Sequence, residues 1–544
     1  MSAPWLSILG IGEDGVEGLS PAAATLLASA SAVFGGQRHL ALAAPLLRGS
    51  AHPWPSPMLD GLPDLLARRG EPTAVLASGD PFCFGIGATL ARHLAPEEFL
   101  CLPAPSAFAL ACARLGWASQ DCATLSFCGR PLEPLLPLLQ PGARILALSA
   151  DAGTPAAVAA LLTGQGFGPT RMHLLEALGG PRARHRATTA AEFDLTPDPL
   201  NLLALEVIPG PGARIIPLAP GLPEHFFEQD GQITKREVRA VTLAALAPRQ
   251  GELLWDIGTG SGSVAIEWML RHPANRAIGL EPRPDRAARA ARNALALGVP
   301  GLRVVQAAAP AGLSGLPTPD AVFLGGGAAG EGVLEAAWAA LRPGGRLVAN
   351  AVTLETEAAL TAAHAAWGGT LTRLGVERLD RVGGFHGYRP AMTVTQYAVE
   401  KPRAGSWVTL SPRRRGPGEA TPPLATAGLG LRPSASTAAI VALVRHAESL
   451  AGLRVGRLAA PAFRRNLPAL PEAALALGVE LVFLDHDALL AVQDRCPTRS
   501  EAALRATGIA SVAEGCALAM GGALVLPRIV EGGVACAIST ETIE

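Results

Sequence analysis

Lysine is almost absent from this chain: Lys235 and Lys401 stand among 45 basic residues, the rest of which are arginine. Tyrosine is as scarce, with only Tyr388 and Tyr397. Alanine, glycine and proline are abundant, so the pattern reads as codon bias rather than a specialised surface. Residues that the bias disfavours therefore mark positions worth following. The net charge of −1 leaves no field to draw the chain to nucleic acid or to an anionic membrane. The eight cysteines include no C-x-x-C pair, and no histidine cluster joins them at zinc-ligand spacing, so neither a metal site nor a disulfide framework is expected. No apolar run is long enough to span a bilayer, and the first residues carry no basic segment or cleavage signal. The expected setting is soluble, reducing and cytoplasmic.

What is present is globular: 49% hydrophobic and 17% charged residues over 544 positions, too many for one core. Two Pro/Gly/Arg-rich stretches, 206–227 and 401–428, separate segments 1–205, 226–400 and 425–544. Each alternates short β-like apolar runs with alanine-rich helical patterns. The fold class is therefore α/β in three domains, with largely parallel sheets expected.

In the middle segment, "ELLWDIGTGSGSVAIEWML" reads as a buried strand, a glycine turn and a helix. A dinucleotide fingerprint needs its third glycine where Ser263 stands. The spacing D-x-G-x-G-x-G instead resembles the S-adenosylmethionine site of class I methyltransferases. That resemblance implies cofactor contacts from Asp256, Gly258, Thr259, Gly260, Ser261 and Gly262. Glu281 ends the next strand, "RAIGLEP", where an acid accepts hydrogen bonds from ribose hydroxyls. Further on, "DAVFLGGGAAG" lacks the N-P-P-[FY] clamp of amino-group methyltransferases. Gly325, Gly326 and Gly327 leave room there for a large flat substrate, which suits methylation at carbon.

"QITKREVRAVTLAAL", "VFLGGG" and "GGFHGYRPAMTVTQY" carry the likeness further. With the glycine turn they resemble the C-terminal domain of the bifunctional precorrin methyltransferases of cobalamin biosynthesis, over nearly all of 226–400. Thr393 departs from that pattern, where proline is expected.

In the N-terminal segment, "LSILGIGEDG" is a strand and a turn, and Ser20–Pro21 cap a helix. A phosphate loop is excluded by the missing G-K-[ST] and by Glu13 and Asp14. "ASGDPFCFG", "PAPSAF" and "LSFCGRP" resemble the tetrapyrrole methylases, class III enzymes that hold the cofactor between two α/β subdomains. The resemblance places Gly79, Asp80, Pro81 and Ser106 beside the cofactor and Arg130 at a strand end near the cleft. Cys128 stands where that pattern has histidine. A class III domain followed by a class I domain is the arrangement of the same bifunctional family.

The last segment, with "GLGLRPSAS" and "SVAEGCAL", resembles a small cobalamin-biosynthesis domain, with Arg528 in place of an expected lysine. His486 and Asp487 fit an acid–base pair or a solvated strand-end turn. A non-catalytic tetrapyrrole carrier is a further reading of this domain.

The resemblance implies a reduced, ring-contracted tetrapyrrole as small-molecule partner and S-adenosylmethionine as cofactor. Meso carbons act as enamine-like nucleophiles, and loss of an acetate carboxyl needs an electron sink in the ring rather than a metal. Lys235, Arg236, Arg239 and Arg389 are candidates to hold carboxylates. Lys235, His386 and Tyr388 are candidate acid–base groups. No nucleic acid or membrane partner is expected, and a homo-oligomer is. The alternatives are a cobalt-containing substrate, a nicotinamide oxidoreductase built on 256–281, and a nucleic-acid methyltransferase.

Overall fold

The computed structural model describes residues 4–325, 327–403 and 425–540. The chain divides into two compact units, Met1–Lys401 and Pro402–Glu544. The first unit opens with strands β1 (Leu6–Ile11), β2 (Ala32–Gly35), β3 (Ser50–Pro53), β4 (Thr73–Ser78) and β5 (Phe99–Leu102). They form one parallel sheet in the order β3-β2-β4-β1-β5. β1 and β4 are almost wholly buried, as strands covered on both faces must be. The chain winds one way after β1 and the other way after β4. The carboxyl ends of this neighbouring pair therefore border a crevice.

The second sheet holds β6 (Cys122–Ser126), β7 (Arg144–Leu148), β8 (Arg171–Glu176), β9 (Arg184–Thr189) and β10 (Asn201–Glu206), in the order β6-β7-β10-β8-β9. Only β6 and β7 pair in parallel. The expected parallel character fails here because residues 177–183 are too few for a crossover between β8 and β9.

The third sheet comprises β11 (Leu253–Ile257), β12 (Arg276–Leu280), β13 (Arg303–Val305), β14 (Ala321–Leu324), β15 (Arg346–Ala351), β16 (Thr370–Leu374) and, beyond a separate hairpin of β17 (Glu377–Val382) and β18 (Phe385–Pro390), β19 (Val394–Glu400). Its order is β13-β12-β11-β14-β15-β19-β16, with β19 antiparallel to both neighbours. Winding reverses between β11 and β14, which places a second crevice at their carboxyl ends. One apolar core runs through the unit from Phe127 and Leu162 to Phe226, Phe227, Trp268 and Leu297. Gln140 Nε2 donates to the Ile216 carbonyl at 2.9 Å, and Arg214 to that of Phe226 at 2.7 Å, across the join.

The second unit is a five-stranded sheet of β20 (Ala425–Leu431), β21 (Val455–Pro461), β22 (Glu480–Leu484), β23 (Ala523–Glu531) and β24 (Val534–Thr540), ordered β22-β21-β20-β24-β23. β23 and β24 are antiparallel because Gly532 and Gly533, with φ of +58° and +79°, close a two-residue turn. Ser436 caps the helix Thr437–Ala451, accepting from Ala439 N at 3.3 Å. Among the described residues no helix is long and apolar enough to cross a membrane.

Candidate functional site

The crevice beside β1 and β4 opens into a cleft of about 520 Å³, closed on the far side by the ends of β7, β8 and β10. Its floor is made of backbone. Gly79 has φ of +53°, donates to the Ile11 carbonyl and accepts from Ala104 N, both at 3.1 Å. A Cβ on Gly79 would lie 2.6 Å from the Pro105 carbonyl oxygen. Gly79, Asp80 and Ser106 line the cleft; Pro81 is buried behind them. Asp80 closes a turn by accepting from Phe82 N at 2.8 Å, and Ser106 caps the helix Ala107–Leu115, accepting from Ala109 N at 3.1 Å. Cys128, after β6, is exposed and lines the cleft, and Arg130 lies over the Phe84 ring at 5.1 Å.

Two buried polar atoms of the second sheet's side, Ser149 Oγ and Asn201 Oδ1, have no partner in the protein, and both residues line the cleft. Orphaned acceptors beside a glycine floor fit a polar nucleoside ligand. Arg38, His39 and Ser78, which the sequence did not single out, also line this cleft, as does Glu13. No spacing pattern links them; only the fold brings the loop after β1, the helix Gln37–Ala43 and the end of β4 together.

The second cleft, about 890 Å³, lies at the ends of β11, β12, β14 and β15. It collects Asp256, Gly258, Thr259, Gly260, Ser261, Glu281, Gly325, Gly327 and Lys235. Gly258 and Gly260 adopt φ of +76° and +55° to turn the chain from β11 into the helix Ser263–Leu270. Glu281 accepts from Gly260 N at 3.0 Å and from Arg283 N at 3.1 Å, tying the turn to the end of β12. Ser261 Oγ is buried without a partner. An acidic acceptor, an orphaned hydroxyl and a left-handed glycine turn fit the ribose and amino-acid ends of S-adenosylmethionine.

Asp256 accepts from Thr259 Oγ1 at 2.7 Å and Ala265 N at 3.1 Å. Burial pushes its carboxyl up to about 6, those two hydrogen bonds pull it down, and the Glu281 charge adds to the rise. A raised folded value means that the proton is held more tightly in the folded state. This contribution to stability is whole below the unfolded value near 4 and fades as pH rises through about 6, by up to about 3 kcal/mol. Asp256→Asn is therefore expected to gain stability relative to wild type between pH 4 and 7 in urea titrations. A stability difference that stays flat over this range would refute the assignment.

Several expected contacts fall elsewhere. Gly262 packs on Ala290 and Ile266, where a Cβ would come within 3.2 Å, and does not line the cleft. Arg239 is wholly buried, bonded through Nε to Glu267 Oε1 at 2.5 Å, and is closed to any substrate. Arg236 is exposed away from the cleft. His386, Tyr388 and Arg389 sit exposed on the β17–β18 hairpin outside the cleft wall, and Arg389 pairs with Asp380 at 3.2 Å. Gly383 and Gly384 form the two-residue turn of that hairpin. Gly326 lies outside the described residues. Arg283, Arg286, Arg378 and Asn350 line the cleft without having been foreseen.

The scarce residues part company. Lys401 donates from Nζ to the carbonyls of Trp338, Ala339 and Leu341, capping the end of the helix Val333–Ala340. Tyr397 is buried, its hydroxyl bonded to the Gly368 carbonyl at 2.8 Å and pushed by burial up to about 12. Lys235, at the start of the helix Arg236–Leu246, is left facing the cleft.

In the second unit, Glu514 of "SVAEGCAL" is buried. It accepts from Thr498 N at 3.0 Å, Thr498 Oγ1 at 2.9 Å, Ser511 Oγ at 2.8 Å and Arg528 N at 3.0 Å. Its bonds are committed to holding loops together. His486 and Asp487 open a short helix, His486–Leu490, after β22.

Three family models match the chain: tetrapyrrole (corrin/porphyrin) methylases over residues 6–194, the precorrin methyltransferase domain over 225–401, and the cobalamin synthesis G C-terminus over 425–539. A precorrin-6Y C(5,15)-methyltransferase [decarboxylating] from Sinorhizobium sp is 56% identical over 400 residues, covering 73% of this chain and 97% of that protein. The protein of the same name from Mycobacterium tuberculosis is 40% identical over 398 residues, 72% of this chain and 99% of the relative. Among solved structures, the C-terminal domain of precorrin-6Y C5,15-methyltransferase from Rhodobacter capsulatus is 48% identical, covering 34% of this chain and 100% of that one with a TM-score of 0.33.

Proposed function

The chain belongs to the family of decarboxylating precorrin-6Y C(5,15)-methyltransferases, and from that premise we propose that its two clefts divide the chemistry between them. The enzyme is an S-adenosylmethionine-dependent C-methyltransferase of cobalamin biosynthesis that also removes a carboxyl group. The substrate on this reading is precorrin-6Y, methylated at C5 and C15 with loss of the ring C acetate carboxyl. One observation carries the division: a single chain holds two glycine-floored clefts of unrelated fold, each at a switch point between parallel strands.

Bound S-adenosylmethionine supplies a methyl group on a sulfonium, open to in-line attack by an electron-rich carbon. In the first cleft Gly79, Asp80 and Ser106 would hold it, and in the second Asp256, Gly258, Thr259, Gly260, Ser261 and Glu281. C15 adjoins ring C, so methylation there leaves an electron-poor neighbour for the ring C acetate. We place C15 methylation and decarboxylation together in the second cleft and C5 methylation in the first. As carbon dioxide leaves, its bonding pair enters the ring system, and the side-chain carbon then needs a proton. Lys235, a cation on the cleft wall, supplies that proton and aligns the carboxylate beforehand. Gly325 and Gly327 leave the space for the macrocycle.

The hairpin exposes Leu379 and Tyr388 on one face and Val382 and Phe385 on the other; this apolar surface supports a homo-oligomer, and eight cysteines without a disulfide support a cytoplasmic setting.

Mass spectrometry of precorrin-6Y incubated with the enzyme and methyl-labelled S-adenosylmethionine tests the reading. Two labelled methyl groups and one lost carbon dioxide are expected; an unchanged tetrapyrrole would refute it. Lys235→Met is expected to slow carbon dioxide release about tenfold to a hundredfold while leaving the first methylation intact. Equal slowing of both steps would remove Lys235 from this role.

A further inference from the structure

The first cleft contains a hydrogen-bonded chain whose proton positions are fixed by its chemistry. Arg38 has only donors, and one of its terminal nitrogens lies 2.9 Å from His39 Nε2 and 2.7 Å from Ser78 Oγ. His39 Nε2 is therefore an acceptor, and the imidazole is neutral with its hydrogen on Nδ1. Ser78 Oγ lies 2.7 Å from the same Nε2, so the hydroxyl and Arg38 share its single lone pair, with the hydroxyl making the shorter approach. Arg38 is held in turn by Glu13, which also pairs with Arg182 at 3.2 Å. Ser78 is exposed at the end of β4, one residue before Gly79, and all four members of the chain line the cleft. His39 Nδ1 is buried with no protein acceptor to steady a positive ring. Burial and the Arg38 charge hold the imidazole down at about 4, against a smaller opposing pull from Glu13.

We propose that Ser78 and His39 form the proton relay that completes carbon methylation in the first cleft. The proposal rests on the assignment of a tetrapyrrole methylation to this cleft. When a methyl group bonds to an enamine-like meso carbon that bears hydrogen, the carbon becomes tetrahedral and its neighbour an iminium. Conjugation returns only when the C–H bond breaks and its electron pair re-forms the double bond. The hydrogen passes to Ser78 Oγ as the hydroxyl proton moves to His39 Nε2, and no redox partner is needed. The adjoining iminium makes this C–H acidic, so a weak base suffices, and a weak base stays unprotonated at every working pH. Arg38, Glu13 and Arg182 are the charged groups around the relay; together they set its geometry, and Arg38 keeps the ring neutral.

The full-length enzyme carrying Ser78→Ala or His39→Gln provides the test. The glutamine amide accepts the Ser78 hydrogen bond but takes no proton, which separates positioning from basicity. With precorrin-6Y deuterated at C5, wild type is expected to show no isotope effect on the first methylation. Both variants should slow it about a hundredfold and reveal a primary isotope effect. Calorimetric affinity for S-adenosylhomocysteine and carbon dioxide release from the second cleft should stay within threefold of wild type. Histidine ¹⁵N spectra should show one Nδ1–H tautomer, absent from His39→Gln, persisting down to about pH 5. Variants with near-wild-type rates and no isotope effect, a rate loss matched by lost cofactor affinity, or an Nε2–H tautomer would each overturn the relay. A wild-type enzyme that adds no methyl at C5 would instead overturn the underlying assignment.

Discussion

Gly10→Ala is expected to silence the first methylation while sparing the second. Gly10 sits in β1, where its Cβ would fall 1.9 Å from the Gly79 carbonyl oxygen and 2.4 Å from Ala104 N. Both are backbone atoms of the cleft floor, and neither can swing aside as a side chain would. Gly79 is further pinned by its bonds to Ile11 and Ala104 and by its left-handed φ. Relief must therefore displace the Gly79–Asp80 turn itself. Misplacement of a positioning element by about an ångström costs on the order of a hundredfold in rate, and overpacking adds about 1–3 kcal/mol of lost stability. S-adenosylhomocysteine binding to the first cleft should fall below detection, whereas carbon dioxide release should stay within twofold. A variant that keeps its C5 methylation rate would show that the floor tolerates a methyl group and would detach Gly10 from the site.

Glu267→Ala is expected to cost about 3–5 kcal/mol. Glu267 and Arg239 are both fully buried. The carboxylate takes the Arg239 guanidinium through Nε and the backbone amides of Gly221 and Leu222 at 2.7 and 2.9 Å. Arg239 also donates to the carbonyls of Thr234 and Leu222 and lies over the Phe227 ring at 4.8 Å. Removing the carboxylate strands a buried cation and two amides at once. The segment they anchor carries Gln232, Thr234 and Lys235 to the second cleft, so the decarboxylating step should fail at temperatures where the first methylation survives. Arg239→Met combined with Glu267→Met should recover the part of the loss that comes from the stranded cation, but not the part from the Gly221 and Leu222 amides, which stay unpaired. Urea unfolding distinguishes these outcomes: a loss below about 1 kcal/mol for Glu267→Ala would mean that the pair contributes nothing net.

That pair also shows what sequence reading can reach. In sequence Arg239 is a candidate to hold substrate carboxylates. Yet it shares a helical stripe with Thr242, Leu243 and Leu246, all buried. Glu267 interrupts an apolar helix, "SVAIEWML", whose other members are nearly all buried. Each placement signals a buried charge, but nothing in the sequence joins residues so far apart. The glycine turn at 258–260 and the acid at Glu281 were legible because local backbone conformation and strand-end position decide them. The relay of Arg38, His39 and Ser78 was not, since the helix Gln37–Ala43 and the end of β4 meet there only through the strand order of the first sheet. His386, Tyr388 and Arg389 were misplaced for a related reason. A glycine pair reads alike as a pocket loop or a hairpin turn, and the pairing of Val382 with Phe385 decides between them.

The most direct measurement is a count of S-adenosylhomocysteine molecules bound per chain by titration calorimetry. Two independent sites are expected in wild type. Gly10→Ala should leave only the second, and Gly260→Arg, which forces a large side chain into a left-handed turn facing the cleft, only the first. One site in wild type, or a single substitution that empties both, would contradict the division of the chain into two methyl-transfer centres.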